Sequence, residues 1–177
     1  VMKEAGMYRV MYGIESGDQS ILDRLNKNEK IEDVRRVVSL TKKHGIETLG
    51  FFMFGCPGET EETLRNTQKF MLSLPFDDIQ VTRFTLFPGT SFYTEYRETT
   101  GADDYWALYT LSRKHVRKLP LLDTGFTPEE IERRVRKAYL RFYLRPRIIF
   151  KKVFKKSIFS SFGKYARAFY DMCFNQQ

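Results

Sequence analysis

Gly45-Ile46-Glu47-Thr48-Leu49-Gly50-Phe51-Phe52-Met53-Phe54-Gly55-Cys56-Pro57-Gly58-Glu59-Thr60 is the stretch that decides the fold. Ile46 to Phe54 is almost continuously apolar, as a parallel strand buried on both faces should be. Gly55 and Gly58 then let the chain turn with the backbone open to close approach. Thr60 can cap a helix, with Glu61 and Glu62 at its positive end and Leu64, Met71 and Leu72 on its buried side.

Upstream, Tyr8 to Gly13 is a short β-prone run ending in glycine. Asp18 can cap the helix that follows, with Ile21, Leu22 and Leu25 as its apolar side. Ile31, Val34, Val37, Val38 and Thr41 recur at helical spacing, and Gly45 stops that helix after Lys42, Lys43 and His44. Downstream, Ile79 to Leu86 reads as a third strand, closed by Phe87-Pro88-Gly89-Thr90. Strand and helix therefore alternate, which implies an α/β parallel sheet whose units recur at TIM-barrel-like intervals. Three strands make only part of a barrel, and the edge at the first strand is expected to be unpaired.

Beyond Tyr93 the pattern changes. Residues 99–124 show no clear repeat. Thr127-Pro128-Glu129-Glu130 is a helix start with cap, proline and third-position glutamate in register. Ile131, Val135, Ala138, Tyr139 and Phe142 form its stripe, and Arg145-Pro146 interrupts it. The expected organisation is 1–93 as a partial barrel, 94–146 as a helical extension packed on it, and 147–177 as a basic amphipathic tail.

Composition narrows the class. At 42% hydrophobic and 29% charged, the 177 residues suit a globular domain. No apolar run nears the ~18 residues of a membrane span, and the first residues lack a signal-peptide pattern. Val1 to Gly6 reads as a helix end, so the chain is expected to be a fragment with its upstream half elsewhere. Cys56 and Cys173 lie far apart, without metal-ligand spacing, and are expected to be idle thiols of a reducing cytoplasm. The first 140 residues hold 21 basic and 21 acidic groups, whereas the rest hold nine basic residues against Asp171, so the whole +8 lies in the tail.

Ligands of a parallel α/β sheet bind at the C-terminal strand ends. Three loops lie there. In Gly13-Ile14-Glu15-Ser16-Gly17, Glu15 and Ser16 could bond a ribose or an amine, or the segment could be a helix-capping turn. Gly55 to Thr60 offers close backbone approach and free N–H groups, or an ordinary Pro57-Gly58 turn. Arg83, at the third strand's end, could pair with a carboxylate or remain solvated.

Together, Lys3-Glu4-Ala5-Gly6, Tyr12-Gly13-Ile14-Glu15-Ser16-Gly17, Phe52-Met53-Phe54-Gly55-Cys56-Pro57-Gly58-Glu59-Thr60 and Phe87-Pro88-Gly89-Thr90 resemble the second half of a radical S-adenosylmethionine (SAM) core. Their order is similar to that of the cobalamin-binding radical SAM enzymes, including relatives of the anaerobic magnesium-protoporphyrin ester cyclase and radical methyltransferases. The resemblance covers roughly Val1 to Tyr93 and continues through Leu140 to Pro146.

It implies that Glu15 and Ser16 meet the ribose and methionine parts of SAM. It implies that Met53, Gly55, Gly58 and Glu59 belong to the adenine-lining motif, and that Arg83 and Pro88 lie near the loop closing over the cofactor. It implies a [4Fe–4S] cluster, a 5′-deoxyadenosyl radical and methylation, cyclisation or similar C–H chemistry, with any cobalamin domain upstream. The CxxxCxxC loop that would hold the cluster is absent, Met7 stands where relatives often have cysteine, and Cys56 where they often have leucine. The chain alone is therefore expected to be inactive.

The tail suggests a lipid-like or small-molecule substrate and peripheral contact with the inner face of the membrane, through Lys151, Lys152, Lys155 and Lys156 set among Phe and Ile. A solvated helix packed on the barrel and, less strongly, nucleic-acid contact remain open. Two other readings are a non-catalytic α/β fragment binding a nucleotide, RNA or partner, and a phosphate-binding barrel using the Gly58 loop. The second lacks a cation between Gly55 and Arg65.

Overall fold

The computed structural model describes residues 1–102, 104, 106 and 120–154, with the side chains of residues 153 and 154 excepted. The elements run β1 (Arg9–Glu15), α1 (Gln19–Arg24), α2 (Ile31–Lys43), β2 (Glu47–Phe54), α3 (Glu61–Ser73), β3 (Asp78–Arg83), α4 (Ser91–Thr100), α5 (Pro128–Tyr143) and α6 (Pro146–Phe154). The strands form one parallel sheet in the order β1-β2-β3. Met11 pairs with Leu49, and Leu49 with Asp78. The α/β partial-barrel architecture is thus present.

The helix boundaries follow local chemistry. Asp18 accepts the Ser20 N–H ahead of α1. Thr60 and Thr63 form a reciprocal capping box ahead of α3. Thr127 and Glu130 do the same for α5, with Pro128 inside its first turn. Gly6, at φ 90°, closes a helical turn in which Ala5 N–H donates to the Val1 carbonyl at 2.9 Å. α4 was not expected from sequence: Thr90 caps it and Gly101 ends it at φ 63°, but it buries only Tyr93, so its apolar stripe is faint.

Helices cover one face of the sheet. Val38 of α2, Leu64 and Met71 of α3, and Ile131 and Phe142 of α5 form one cluster with Ile14, Phe52, Phe54 and Val81 of the strands. Each fully buried large side chain there is worth about 1.5–3 kcal/mol. β2 departs from the expectation of two buried faces. Thr48, Gly50, Phe52 and Phe54 are buried, whereas Leu49, Phe51 and Met53 are only half-buried; of these, Met53 packs against a smaller cluster that includes Ile21 of α1 and Tyr93 of α4. β3 stops at Arg83, short of the expected Leu86. β2 ends at Phe54, whose carbonyl takes the Phe84 N–H at 2.8 Å, and past that point there is no strand to pair with.

The two sheet edges differ. Tyr139 of α5 accepts the Val81 N–H at 2.9 Å and donates to the Val81 carbonyl at 3.2 Å. The Tyr143 hydroxyl donates to the Ile79 carbonyl at 3.3 Å. These tyrosines close the outer edge of β3. β1 is the other edge strand, and its Met11 and the neighbouring Tyr8 are exposed.

An ion network closes the N-terminal end of the sheet. Lys42 grips buried Asp77 at 2.7 and 2.6 Å, and Asp77 also accepts the Thr48 N–H at 2.8 Å. Lys151 of α6 binds Asp77, and Lys152 binds Asp78 at 2.6 Å. Arg9 bridges Glu47 at 3.0 Å and Asp78 at 2.9 Å. Two of the four tail lysines singled out in the sequence therefore fold back onto the domain. Lys155 and Lys156 lie outside the described residues, as does Cys173.

Candidate functional site at the strand ends

All eight candidate residues lie at the C-terminal ends of the strands or in the loops after them. They do not all face one space. Glu15 ends β1 at a register shift between Gly13 and Glu15, with a left-handed φ of 68°. A Cβ built on Gly13 would fall 2.9 Å from Glu15 Oε1, so the carboxylate lies close over Gly13 and a larger residue there would push it aside. The bulge thus turns Glu15 over Gly13, on the sheet face away from the main core, a local re-aiming typical of bulges near functional sites. Lys27 Nζ lies 3.3 Å from Glu15 Oε1 and also donates to the Gly13 carbonyl. Lys27 carries no motif that marks it as a partner of Glu15.

Met53 is on the same face at the end of β2, half-buried. It packs against a second cluster of Ile21, Cys56, Phe84, Leu86, Tyr93 and Leu122. Glu15 and Met53 thus place a carboxylate and an apolar surface on adjacent strands. That pairing suits a ligand with a polar sugar or amine end and a flat apolar end.

Ser16 is turned inward. Its hydroxyl is 2.9 Å from that of Thr67 on α3 and accepts the Asp18 N–H at 3.1 Å. Gly17 N–H donates to Thr67 at 3.1 Å, and a Cβ on Gly17 would meet Phe70 Cβ at 2.4 Å. Ser16 and Gly17 thus dock the first loop on α3. Arg83 lies on the helix side of β3, with its guanidinium 3.9 Å from Glu132 of α5. Pro88 is exposed in the loop between β3 and α4.

The Gly55–Glu59 loop is tightly held. Gly55 and Gly58 both have positive φ, at 79° and 77°. The Gly55 N–H donates to Glu59 Oε2 at 2.6 Å. Glu59 is buried, and its Oε1 has no hydrogen-bond partner among the described residues. Burial pushes its carboxyl up to about 7, against the pull of the Gly55 and Cys56 N–H groups and of Arg134. The Cys56 thiol is raised well above its usual range by burial, with the charges of Glu59 and Glu15 adding to that, so it is an inert core group. Among the described residues no three His, Cys, Asp or Glu side chains converge as a metal site.

A model of the Radical SAM superfamily matches residues 1–71. A protein of Pyrococcus horikoshii named as an uncharacterized methyltransferase is 36% identical over 156 residues, 87% of this chain and 33% of that protein. The anaerobic magnesium-protoporphyrin IX monomethyl ester cyclase of Rubrivivax gelatinosus is 28% identical over 144 residues, 81% of this chain and 25% of that enzyme. The chain therefore spans a quarter to a third of the length of these relatives. Coproporphyrinogen III oxidase (HemN) of Escherichia coli, described as a radical SAM enzyme, matches 80% of this chain and 27% of its own with a TM-score of 0.52. At 16% identity that likeness is one of fold.

Proposed function

We infer, for a chain whose residues 1–71 belong to the radical SAM superfamily, that it is the C-terminal part of a radical SAM enzyme and binds SAM at its strand ends. The observation that carries this is the bulge that holds the Glu15 carboxylate over Gly13, one strand away from half-buried Met53.

The residues fit SAM in kind. Glu15 can accept hydrogen bonds from ribose hydroxyls or the methionine amine, and Lys27 holds it in place. Met53 offers an apolar surface to an adenine, and the Gly55–Glu59 turn shapes the wall beside it. The residues do not fit the [4Fe–4S] cluster, since Cys56 is buried in an apolar cluster and no ligand set converges among the described residues. The cluster's cysteines are therefore assigned to the protein upstream of Val1, as is any cobalamin domain. Reduced beside that cluster, SAM would supply the radical for C–H chemistry of the methylation or cyclisation kind. This chain's part is to bind and orient it and to exclude water.

The substrate is proposed to be a small or lipid-like molecule. Exposed Ile149, beside Arg147 on α6, supports contact with an anionic membrane, while Lys151 and Lys152 are already engaged by carboxylates. No described helix is long and apolar enough to cross a membrane.

The direct test is equilibrium SAM binding to the full-length protein, wild type against Glu15→Gln. Loss of a charge-assisted hydrogen bond is worth about 1.5–3 kcal/mol, so the variant should bind roughly 10- to 100-fold more weakly with its melting temperature little changed. Equal affinities would remove Glu15 from the site.

A further inference from the structure

Leu121 to Gly125 comes to the Gly55–Glu59 loop from the far end of the sequence. The Gly58 N–H donates to the Asp123 carbonyl at 2.6 Å. The Thr124 hydroxyl donates to the Glu59 carbonyl at 3.3 Å, and Gly125 N–H reaches the same carbonyl at 3.4 Å. Leu121 lies over Gly55, where an added Cβ would meet its Cδ2 at 3.2 Å. Leu122 is buried in the cluster that also holds Cys56 and touches Met53.

One residue of this segment is in an unfavourable conformation. Asp123 has φ 43°, in the left-handed region that few non-glycine residues adopt. That conformation aims its carbonyl at the Gly58 N–H. Strained backbone of this kind persists where the surroundings impose it. Here the surroundings are a loop whose two glycines are themselves left-handed and whose inner glutamate binds the Gly55 N–H.

We propose that residues 121–125 are a positioning strap, which fixes the conformation of the Gly55–Glu59 loop and so sets the affinity of the strand-end site for SAM. The strap does not touch the ligand; Asp123 and Thr124 act through the backbone of Gly58 and Glu59. The helical extension thereby becomes part of the site. This inference rests on the SAM-binding reading above.

The test uses the full-length protein with SAM itself as the probe. It measures the dissociation constant without reductant and, separately, KM and kcat for reductive SAM cleavage. Asp123→Val puts a β-branched residue where φ must be positive, whereas Asp123→Gly keeps the carbonyl and removes the strain. With one loop hydrogen bond lost, Asp123→Val should raise both the dissociation constant and KM for SAM about tenfold, leave kcat at saturating SAM unchanged and stay folded. Asp123→Gly should bind like wild type.

If Asp123→Val binds SAM as tightly as wild type, the strap has no positioning role. Should that variant not fold, Thr124→Val decides in its place: weaker SAM binding with unchanged kcat supports the strap, and unchanged binding overturns it. A folded wild type that binds no SAM would overturn the site itself, which is a separate failure from a variant that makes no difference.

Discussion

Glu59 follows a Pro-Gly turn, and the family resemblance places it in the adenine-lining motif. The structure turns it inward, onto the Gly55 N–H, with its second oxygen buried. Burial raises its carboxyl from 4.5 to about 7. In the unfolded chain the same group loses its proton near 4.5, so between those values the folded state holds more protons. The stabilising margin is therefore full below about pH 4.5 and disappears as pH rises through about 7. Chemical denaturation from pH 5 to 8 should show wild type losing up to about 3 kcal/mol relative to Glu59→Gln. Parallel curves would mean that Glu59 is ionised throughout. Glycines were the most legible residues in the sequence, because Gly13 marks the β1 bulge and Gly55 and Gly58 the turn that together shape the site. Lys27, in the loop between α1 and α2, and Thr67, on α3, hold Glu15 and Ser16 but carried no sequence signal: a loop lysine and a helix threonine look the same whether or not they contact a distant residue.

Capped, strongly periodic helices were readable as elements. Asp18, Thr60 and Thr127 each cap the helix expected of them. The Arg145-Pro146 break separates α5 from α6 as proline chemistry requires. α4 escaped because a helix that buries one side chain carries almost no periodic signal. The fold-back of α6 escaped as well. A lysine-rich tail suggests an external anion, and nothing local shows that Asp77, Asp78 and Glu47 converge to receive it. Burial alone would raise the Asp77 carboxyl, but hydrogen bonds from Lys151, Lys42 and the Thr48 N–H outweigh it and hold it below its usual value. Its contribution is therefore present above the ordinary carboxylate range and is lost as pH falls through its lowered value. Asp77→Ala should cost about 1–3 kcal/mol at pH 7 by denaturant titration, with the difference shrinking on acidification. A pH-independent difference would show that the carboxylate charge is not what secures α6.

At the scale of the whole molecule, the asymmetry of the sheet is the main finding. Tyr139 and Tyr143 seal the β3 edge, the main core of helices covers one face, and on the other face Leu49, Phe51 and Met53 are only half-buried, with Met53 against the smaller cluster of α1 and α4. Relatives of which this chain spans a quarter to a third have ample length to supply further strands at β1. The central claim is that this chain completes a site where SAM is bound and reductively cleaved. It is tested most directly by reconstituting the full-length protein anaerobically with iron and sulfide, adding dithionite and SAM, and measuring 5′-deoxyadenosine. Formation of 5′-deoxyadenosine by wild type, with strongly reduced yield from Glu15→Gln at sub-saturating SAM, is the predicted result. A protein that assembles its cluster yet forms no 5′-deoxyadenosine, or a Glu15→Gln variant as active as wild type at low SAM, would contradict the account.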